Sequence, residues 1–289
     1  MPDPTWFEYR HHSILLADAV RNSAFSQAIR HRIQEGTSVA DIGSGTGLLS
    51  SYAALQTSES IYAIEHFSGL ADTASELLRP YRQVQVRNES SYGRPFEGLP
   101  EVVITETIGS LGPEENIVEL CYEFGKRYPS VKCFIPARLE ILWQTVSSEV
   151  VESDFQTLIQ RFESASHPGA DFSVLRARLE TLYCKDLQCG ILEKTAPLGA
   201  PLSLIEYELG TTPRSGFFRK ISLLDHPTAN AVHLFFRATL DPSTELSSGI
   251  GDPLTHWRHC FVRRPGTSTS LEVSYQSSSR RFGFDWAVS

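Results

Sequence analysis

The apolar positions of this chain change their period at Pro136. Before it, short continuous apolar runs alternate with stretches of helical spacing. Beyond it, β-rich runs follow one another between Gly, Pro and Ser turns. Residues 6 to 33 carry helix-period apolar positions, opened by the aromatic cluster Trp6, Phe7 and Tyr9, and predict a helix. Ser38 to Ile42 reads as a buried strand, and Leu48 onward returns to helical spacing. Ser60 to Glu65 predicts a second buried strand, Ala71 to Tyr81 an amphipathic helix, and Val84 to Val86 a third strand. Glu101 to Glu106 and Val131 to Ile135 predict two more, separated by a helix that Pro113 opens and Pro129 ends. Alternating strands and helices of this kind predict a parallel sheet. The later runs, among them LEILWQTV, AVHLFFRATL and SLEVSYQ, predict an antiparallel barrel or sandwich. Asp154 to Leu182 breaks that pattern with helical spacing and reads as an arm that packs elsewhere.

The chain has 289 residues, enough for two domains, and a formal net charge of −8. That charge argues against a nucleic-acid partner and favours a cationic substrate. Five cysteines form no Cys-x-x-Cys pair, which suits buried thiols in a reducing, cytoplasmic setting. The first twenty residues mix acidic and basic side chains, so no secretory leader is expected. No apolar run approaches the roughly 18 residues that a membrane span needs. No metal site is expected.

The candidate chemistry gathers at the predicted strand ends. Gly43, Gly45 and Gly47 form a GxGxG turn between the first strand and its helix, where backbone can approach a ligand closely. Asp41, just before the first glycine, is the acid that S-adenosylmethionine enzymes commonly show there. Glu65 ends the second strand, where doubly wound folds place the acid that holds ribose hydroxyls. The polar turn Asn88 to Ser91 could edge an adenine, with Glu89 and Ser90 as candidates. Glu106 and Glu115, nine residues apart, bracket the loop after the fourth strand. Helix capping explains Glu114 and could explain Glu115, but it leaves Glu106 unexplained. Two carboxylates facing one site repel each other without a cation between them.

Taken together, these residues resemble the protein arginine methyltransferases. Asp41 to Gly47 matches the family's first motif, and Glu106 and Glu115 match its paired glutamates. Thr255-His256-Trp257 matches its Thr-His-Trp loop, and His12, Leu15, Asp18 and Arg21 match the spacing of its N-terminal helix. The resemblance implies a Rossmann-like class I methyltransferase domain followed by a β-barrel-like domain with a helical dimerisation arm. It places N-terminal helices covering the cofactor at 1–30, the S-adenosylmethionine domain at 31–136 and the substrate domain at 137–289, with the arm at about 152–185. It implies S-adenosylmethionine as cofactor, with S-adenosylhomocysteine as product, and no metal. His12, Arg21, Asp41, Gly43, Gly45, Gly47, Glu65, Glu89 and Ser90 are then the expected cofactor contacts, Arg21 clamping the methionine carboxylate. Glu106, Glu115, His256 and Asp18 are the expected catalytic residues, His256 pairing with Asp18. Tyr9, Leu15 and Trp257 are the expected substrate contacts. The acceptor implied is the guanidino group of arginine, in a protein or peptide or as free L-arginine, and the assembly implied is a homodimer.

Some features depart from the family. Thirty-two residues follow Trp257, which implies a trimmed barrel. Leu15 stands where asymmetric dimethylating members often carry methionine. A nicotinamide-dependent oxidoreductase would use the same glycine turn and Glu65, but it leaves Glu106, Glu115 and Thr255-His256-Trp257 unexplained. A guanidine methyltransferase of a biosynthetic pathway and an inactive member acting as a scaffold or dimer partner are the other readings.

Overall fold

A computed structural model of the chain describes residues 4–93, 96, 98–164, 173–190, 194–266 and 268–287. Two helices open it, α1 (Pro4–Ala17) and α2 (Ala19–Arg32). The spacing predicted one helix here, and the structure breaks it at Asp18. That residue leaves helical geometry and caps α2, its Oδ1 accepting from the Arg21 N–H at 2.9 Å. Strand β1 (Val39–Ile42), α3 (Leu48–Ala54), β2 (Ile61–Glu65), α4 (Ser68–Leu77), β3 (Val84–Asn88) and β4 (Val102–Thr105) follow. Then come α5 (Ile117–Arg127) and β5 (Cys133–Ile135). Pro113–Glu115 forms one 3-10 turn rather than the start of α5, because Asn116 turns left-handed (φ 74°) between them.

The five strands form a parallel sheet in the order β3-β2-β1-β4-β5. Val39 pairs with Ile61 on one side and Val102 on the other. β1, β2 and β4 are buried throughout, which accounts for their unbroken apolar runs. The strand order reverses between β1 and β4, and open α/β sheets bind ligands outside that switch point. The glycine turn leaves the end of β1 there, and Glu106 directly follows β4.

Beyond Pro136 lie β6 (Arg138–Ser148), α6 (Glu149–Ser164), α7 (Ser173–Tyr183), β7 (Gln188–Gly190), β8 (Thr195–Pro197), β9 (Leu202–Glu208) and β10 (Gly216–Ser222). The chain continues through β11 (Ala231–Asp241), β12 (Thr244–Ser247), β13 (His259–Arg263), β14 (Ser270–Gln276) and β15 (Arg281–Ala287). These strands pair antiparallel. One sheet runs β7-β13-β11-β6-β8, with β9 added on β6 and β12 on β11, and a second runs β10-β14-β15. The predicted arm is the helix pair α6 and α7, while its residues 165–172 lie outside the described ones. One apolar cluster joins the two halves, from Phe25 and Ile29 of α2 through Ile104 and Leu139 to Phe236 and Trp257. None of the helices described is long and apolar enough to cross a membrane.

Candidate active site

A cleft of about 790 Å³ opens at the switch point. Its walls come from α1 (His11, His12, Leu15), the glycine turn (Gly43), the end of β2 (Glu65) and the loop after β4 (Glu106, Ile108, Glu115). Across it stand His256 and Trp257. A smaller lobe continues from it, lined by Arg21, Ser44 and Thr46, and His12, Leu15, Gly43 and Glu106 border both spaces. Glu106 therefore stands where the two spaces meet.

The glycine turn needs its glycines. Gly43, Gly45 and Gly47 all have positive φ (70°, 54° and 84°). A Cβ on Gly45 would come within 2.3 Å of the His12 ring, so backbone and imidazole are in close apposition. Burial lowers the proton affinity of His12, and neighbouring His11 adds to the effect. Glu65 reaches back to the turn: its Oε2 accepts from Gly45 N at 2.9 Å and its Oε1 from Phe67 N at 2.7 Å. Asp41 lies beneath the turn. Ser50 Oγ donates to its Oδ2 at 2.6 Å, but Oδ1 is buried with no partner among the described residues, as is Ser44 Oγ. Burial raises the Asp41 carboxyl to about 6, against the pull of Ser50 and of the Arg21 charge.

On the acceptor side, burial pushes Glu106 up to about 7. Arg21 opposes that rise and Glu115 adds to it. Glu115 is likewise raised by burial, with His11 pulling it back. Both carboxylates border the cleft, the Glu106 side chain buried and Glu115 more exposed. The loop that carries them is tied at several points. Gly109 and Gly112 exchange backbone bonds at 2.9 and 3.1 Å, and Glu114 Oε1 accepts from Leu111 N at 2.9 Å. Trp257 Nε1 donates to Ile108 O at 2.9 Å, and Tyr275 Oη donates to Pro113 O at 3.1 Å. The antiparallel half thus holds the loop of the parallel half from two sides.

Asp18 and His256 meet across 238 residues of chain. Asp18 Oδ2 accepts from the His256 backbone N–H at 2.7 Å and pairs with its Nδ1 at 2.9 Å. Burial disfavours the Asp18 charge, but the N–H groups of Arg21 and His256 and the imidazole outweigh it, so the carboxyl sits below its usual range. An ionised Asp18 only accepts, so the His256 proton resides on Nδ1 and Nε2 keeps its lone pair. Burial lowers the proton affinity of His256, against Asp18, which keeps the ring neutral at pH 7.

Arg21, the expected clamp on the methionine carboxylate, is bonded to two side chains of its own chain. Its Nε donates to Glu106 Oε2 at 3.0 Å, its Nη2 reaches the same oxygen, and its Nη1 donates to Asn22 Oδ1 at 2.7 Å. The cation that the facing glutamates require is, in this structure, supplied on one side by the protein. Tyr9 turns from the cleft toward α4, donating to Gly69 O at 2.8 Å and sitting 3.0 Å from Thr73 Oγ1. Glu89 and Ser90 lie off the cleft wall. Glu89 N donates to Glu65 O, and its carboxylate pairs with Arg87. The sequence reading missed Asn22, Ser50, Tyr275 and His11. His11 was within reach, because it lies one turn before Leu15 on the same helix face. Asn22, whose Nδ2 donates to the carbonyls of Leu15 and Leu16 at 3.1 and 3.0 Å, had no local signal.

The buried oxygens of Asp41 and Ser44, the glycine cradle and Glu65 at the strand end together fit a nucleoside carrying a cationic head. No group of three or more His, Cys, Asp or Glu that could hold a metal occurs among the described residues. No family model matches the chain. Protein arginine N-methyltransferase 6 of Xenopus laevis is 23% identical over 267 residues, covering 87% of this chain and 77% of that protein. Among solved structures, protein arginine methyltransferase 10 of Arabidopsis thaliana superposes with a TM-score of 0.77 at 18% identity, over 96% of this chain and 91% of that one. The Trypanosoma brucei PRMT1 enzyme–prozyme complex, solved with S-adenosylhomocysteine (AdoHcy), gives 0.72 at 16% identity, over 93% and 87%. In sequence along most of its length, and in fold along nearly all of it, the chain takes after the protein arginine methyltransferases, as its motifs first indicated.

Proposed function

We propose that this chain methylates the guanidino nitrogen of arginine in proteins, with S-adenosylmethionine as methyl donor. One observation carries the reading. Two carboxylates, the buried Glu106 and the more exposed Glu115, wall one cleft beside the glycine turn, and partial loss of solvation raises the proton affinity of both. Such a pair calls for a cation, and a planar guanidinium satisfies it with fork-like, charge-assisted bonds. When bound, the cofactor supplies an electrophilic methyl group on a sulfonium.

The residues of the chain do the rest. Glu65 and the backbone of Gly43 to Gly47, with Asp41 beneath them, hold the donor in the cleft, and Arg21 at the smaller lobe faces its carboxylate. Glu106 and Glu115 orient the guanidinium and draw its charge toward the nitrogens they hold. That leaves the attacking nitrogen richer in electrons, which a free guanidinium is not. Holding the reacting atoms near 3–3.5 Å supplies a share of the acceleration, up to about 7–11 kcal/mol in the best intramolecular cases. The nitrogen must shed a proton as it gains carbon. Neutral His256 offers Nε2 for it, and Asp18 fixes the ring in that tautomer. Trp257 closes the wall and ties the glutamate loop through Ile108.

The arm is the proposed dimer contact. Val174, Leu175 and Leu182 stand exposed on α7, and Trp6, Phe7, Ile14 and Leu16 stand exposed on α1. Two copies docking arm to helix would cover both patches by two-fold symmetry. Light scattering at micromolar concentration gives a dimer on this reading, and a stable monomer removes it.

The function is tested by incubating the chain with methyl-labelled donor and either an arginine-rich peptide or free arginine. Mass spectrometry is expected to find label on the peptide's arginine. Label only on free arginine moves the substrate class to a metabolite. Label on neither overturns the reading.

A further inference from the structure

Two of the five cysteines face each other outside the cleft machinery. Cys189 of β7 and Cys260 of β13 are directly opposed in an antiparallel pair, and their sulfurs are 3.4 Å apart. Opposed residues in such a pair have Cα atoms about 4.5–5.5 Å apart. That spacing falls within the range a disulfide spans. Cys189 is exposed and Cys260 is buried behind it. The hydrogen bond with Cys260 lowers the Cys189 thiol to about 7, with Arg258 helping, while Cys260 is held protonated. Cys121 is buried in α5, and burial pushes its thiol up. Cys184 is buried and raised as well. An accessible, thiolate-forming cysteine with a resolving partner beside it is the arrangement redox-sensing thiols use.

The position of the pair gives it consequence. Cys260 lies four residues beyond His256, and its Sγ contacts Arg258 O at 3.4 Å. Arg258 lines the cleft. The Glu114 carboxylate, which holds the glutamate loop through Leu111 N, is close enough to act electrostatically on both thiols. β7 in turn follows directly on the helical arm.

We propose that Cys189 and Cys260 form a peroxide-responsive pair, closing to a reversible disulfide that ties the strand behind the Thr255–Trp257 loop to the end of the arm. The oxidant is a hydroperoxide. The Cys189 thiolate attacks one peroxide oxygen, an S–O bond forms, the O–O bond breaks, and the departing oxygen leaves as water or alcohol after taking a proton. Cys189 is thereby oxidised by two electrons to a sulfenic acid. The Cys260 sulfur then attacks the Cys189 sulfur, an S–S bond forms, and the S–O bond breaks. The hydroxyl departs as water with the Cys260 proton. In sum, two thiols and one hydrogen peroxide give one disulfide and two waters. Closure removes the Cys260 S–H from Arg258 O and fixes β13 to β7, which lowers turnover.

The test uses the full chain, reduced, then treated with hydrogen peroxide, blocked with N-ethylmaleimide and digested without reductant. Mass spectrometry is expected to find the two peptides joined through Cys189 and Cys260, two hydrogens lighter than their sum, and separated again by dithiothreitol. This readout is independent of the methyl-transfer reading. Sulfinate on Cys189 with Cys260 still free, or a bond to another cysteine, overturns the pairing. Cys189→Ser keeps basal turnover, because Cys189 touches nothing in the cleft. Peroxide is expected to lower wild-type turnover several-fold, reversibly, and to leave Cys189→Ser unaffected. An equal loss in both proteins overturns the coupling.

Discussion

Both halves of this molecule bury polar atoms without partners among the described residues, and they do so in different places. In the parallel half, Asp41 Oδ1 lies near the end of β1 beneath the glycine turn, and Ser44 Oγ lies in that turn, which borders the smaller lobe and the cleft. In the antiparallel half, both ring nitrogens of His233 and the Nδ1 of His259 lie inside β11 and β13, between aromatic rings. His233 stacks on Phe235 at 4.9 Å and packs on Phe261 at 5.1 Å. An orphaned buried polar atom costs about 1–3 kcal/mol wherever it lies. At the open end of a sheet a ligand can offset that cost. In mid-sheet nothing reaches it, and the imidazole simply stays neutral. Polar burial therefore marks a site only where the topology also leaves an opening.

The sharpest way to test this difference is to remove charge from the cleft. Glu115→Gln removes a carboxylate with no bond to Arg21 and should leave donor affinity unchanged. With the arginine seated over it, Glu115 becomes one partner of a buried ionic contact, and losing such a partner costs about 3–5 kcal/mol. Turnover should therefore fall by about 10²–10⁴-fold. Glu106→Gln should lose as much turnover and also change donor affinity, because it releases the Arg21 guanidinium. Steady-state kinetics with calorimetric titration of S-adenosylhomocysteine separates the two. Near-normal turnover in Glu115→Gln would falsify the paired-glutamate role.

The matching test in the other half reads stability rather than rate. Burial, with His259, depresses His233 to about 3 from an ordinary 6.5. A histidine depressed on folding binds fewer protons in the native state than in the unfolded one. Its contribution is intact above pH 6.5 and is lost as pH falls from there toward 3. His233→Leu removes that term. Urea midpoints measured from pH 7 to pH 5 should fall steeply for the wild type and less for the variant, with turnover at pH 7 retained. Parallel curves would show that the buried ring contributes nothing to acid sensitivity.

Much of this arrangement was legible in the sequence where the signal is local. Gly43, Gly45 and Gly47 stood out by spacing, and Glu65 and Glu106 by their place after apolar runs. The break at Asp18 did not, because apolar periodicity runs straight through it while the cap depends on one side chain's hydrogen bond. Arg21 and Glu106 are 85 residues apart, and Asp18 and His256 238 apart. Spacing carries no information about such pairs; only resemblance to a family suggested the second, and nothing suggested the first. Tyr9 was an expected substrate contact through the family resemblance alone. Its hydroxyl instead found the Gly69 carbonyl on α4, a partner no local pattern shows.

Within the parallel half, the glycine turn offers a smaller perturbation. Gly45→Ala places a Cβ where φ is +54°, which costs about 1–2 kcal/mol for an L-residue. It also drives that carbon against the His12 ring. Donor affinity should weaken by roughly tenfold or more. Gly36, also at positive φ but with open space around it, serves as the control. Gly36→Ala should carry a comparable backbone cost and leave the dissociation constant for S-adenosylhomocysteine unchanged. Equal affinity in both variants would mean that the close apposition of turn and His12 has no part in donor binding.

The least disruptive change tests whether the antiparallel half acts on the chemistry at all. Tyr275 reaches from β14 to the Pro113 carbonyl, at the foot of the turn carrying Glu115. Tyr275→Phe deletes one hydroxyl and keeps the ring, which packs on Phe282 at 4.7 Å. The lost hydrogen bond is worth about 1 kcal/mol. A melting-temperature drop of a few degrees follows for a chain of this size. If the bond also fixes the position of Glu115, turnover falls several-fold while donor affinity stays the same, since no donor contact is touched. A lower melting temperature with full turnover would confine Tyr275 to stability. The glutamate loop would then owe its shape to Glu114, to the paired backbone bonds of Gly109 and Gly112, and to Trp257, with the second sheet adding only its weight to the core.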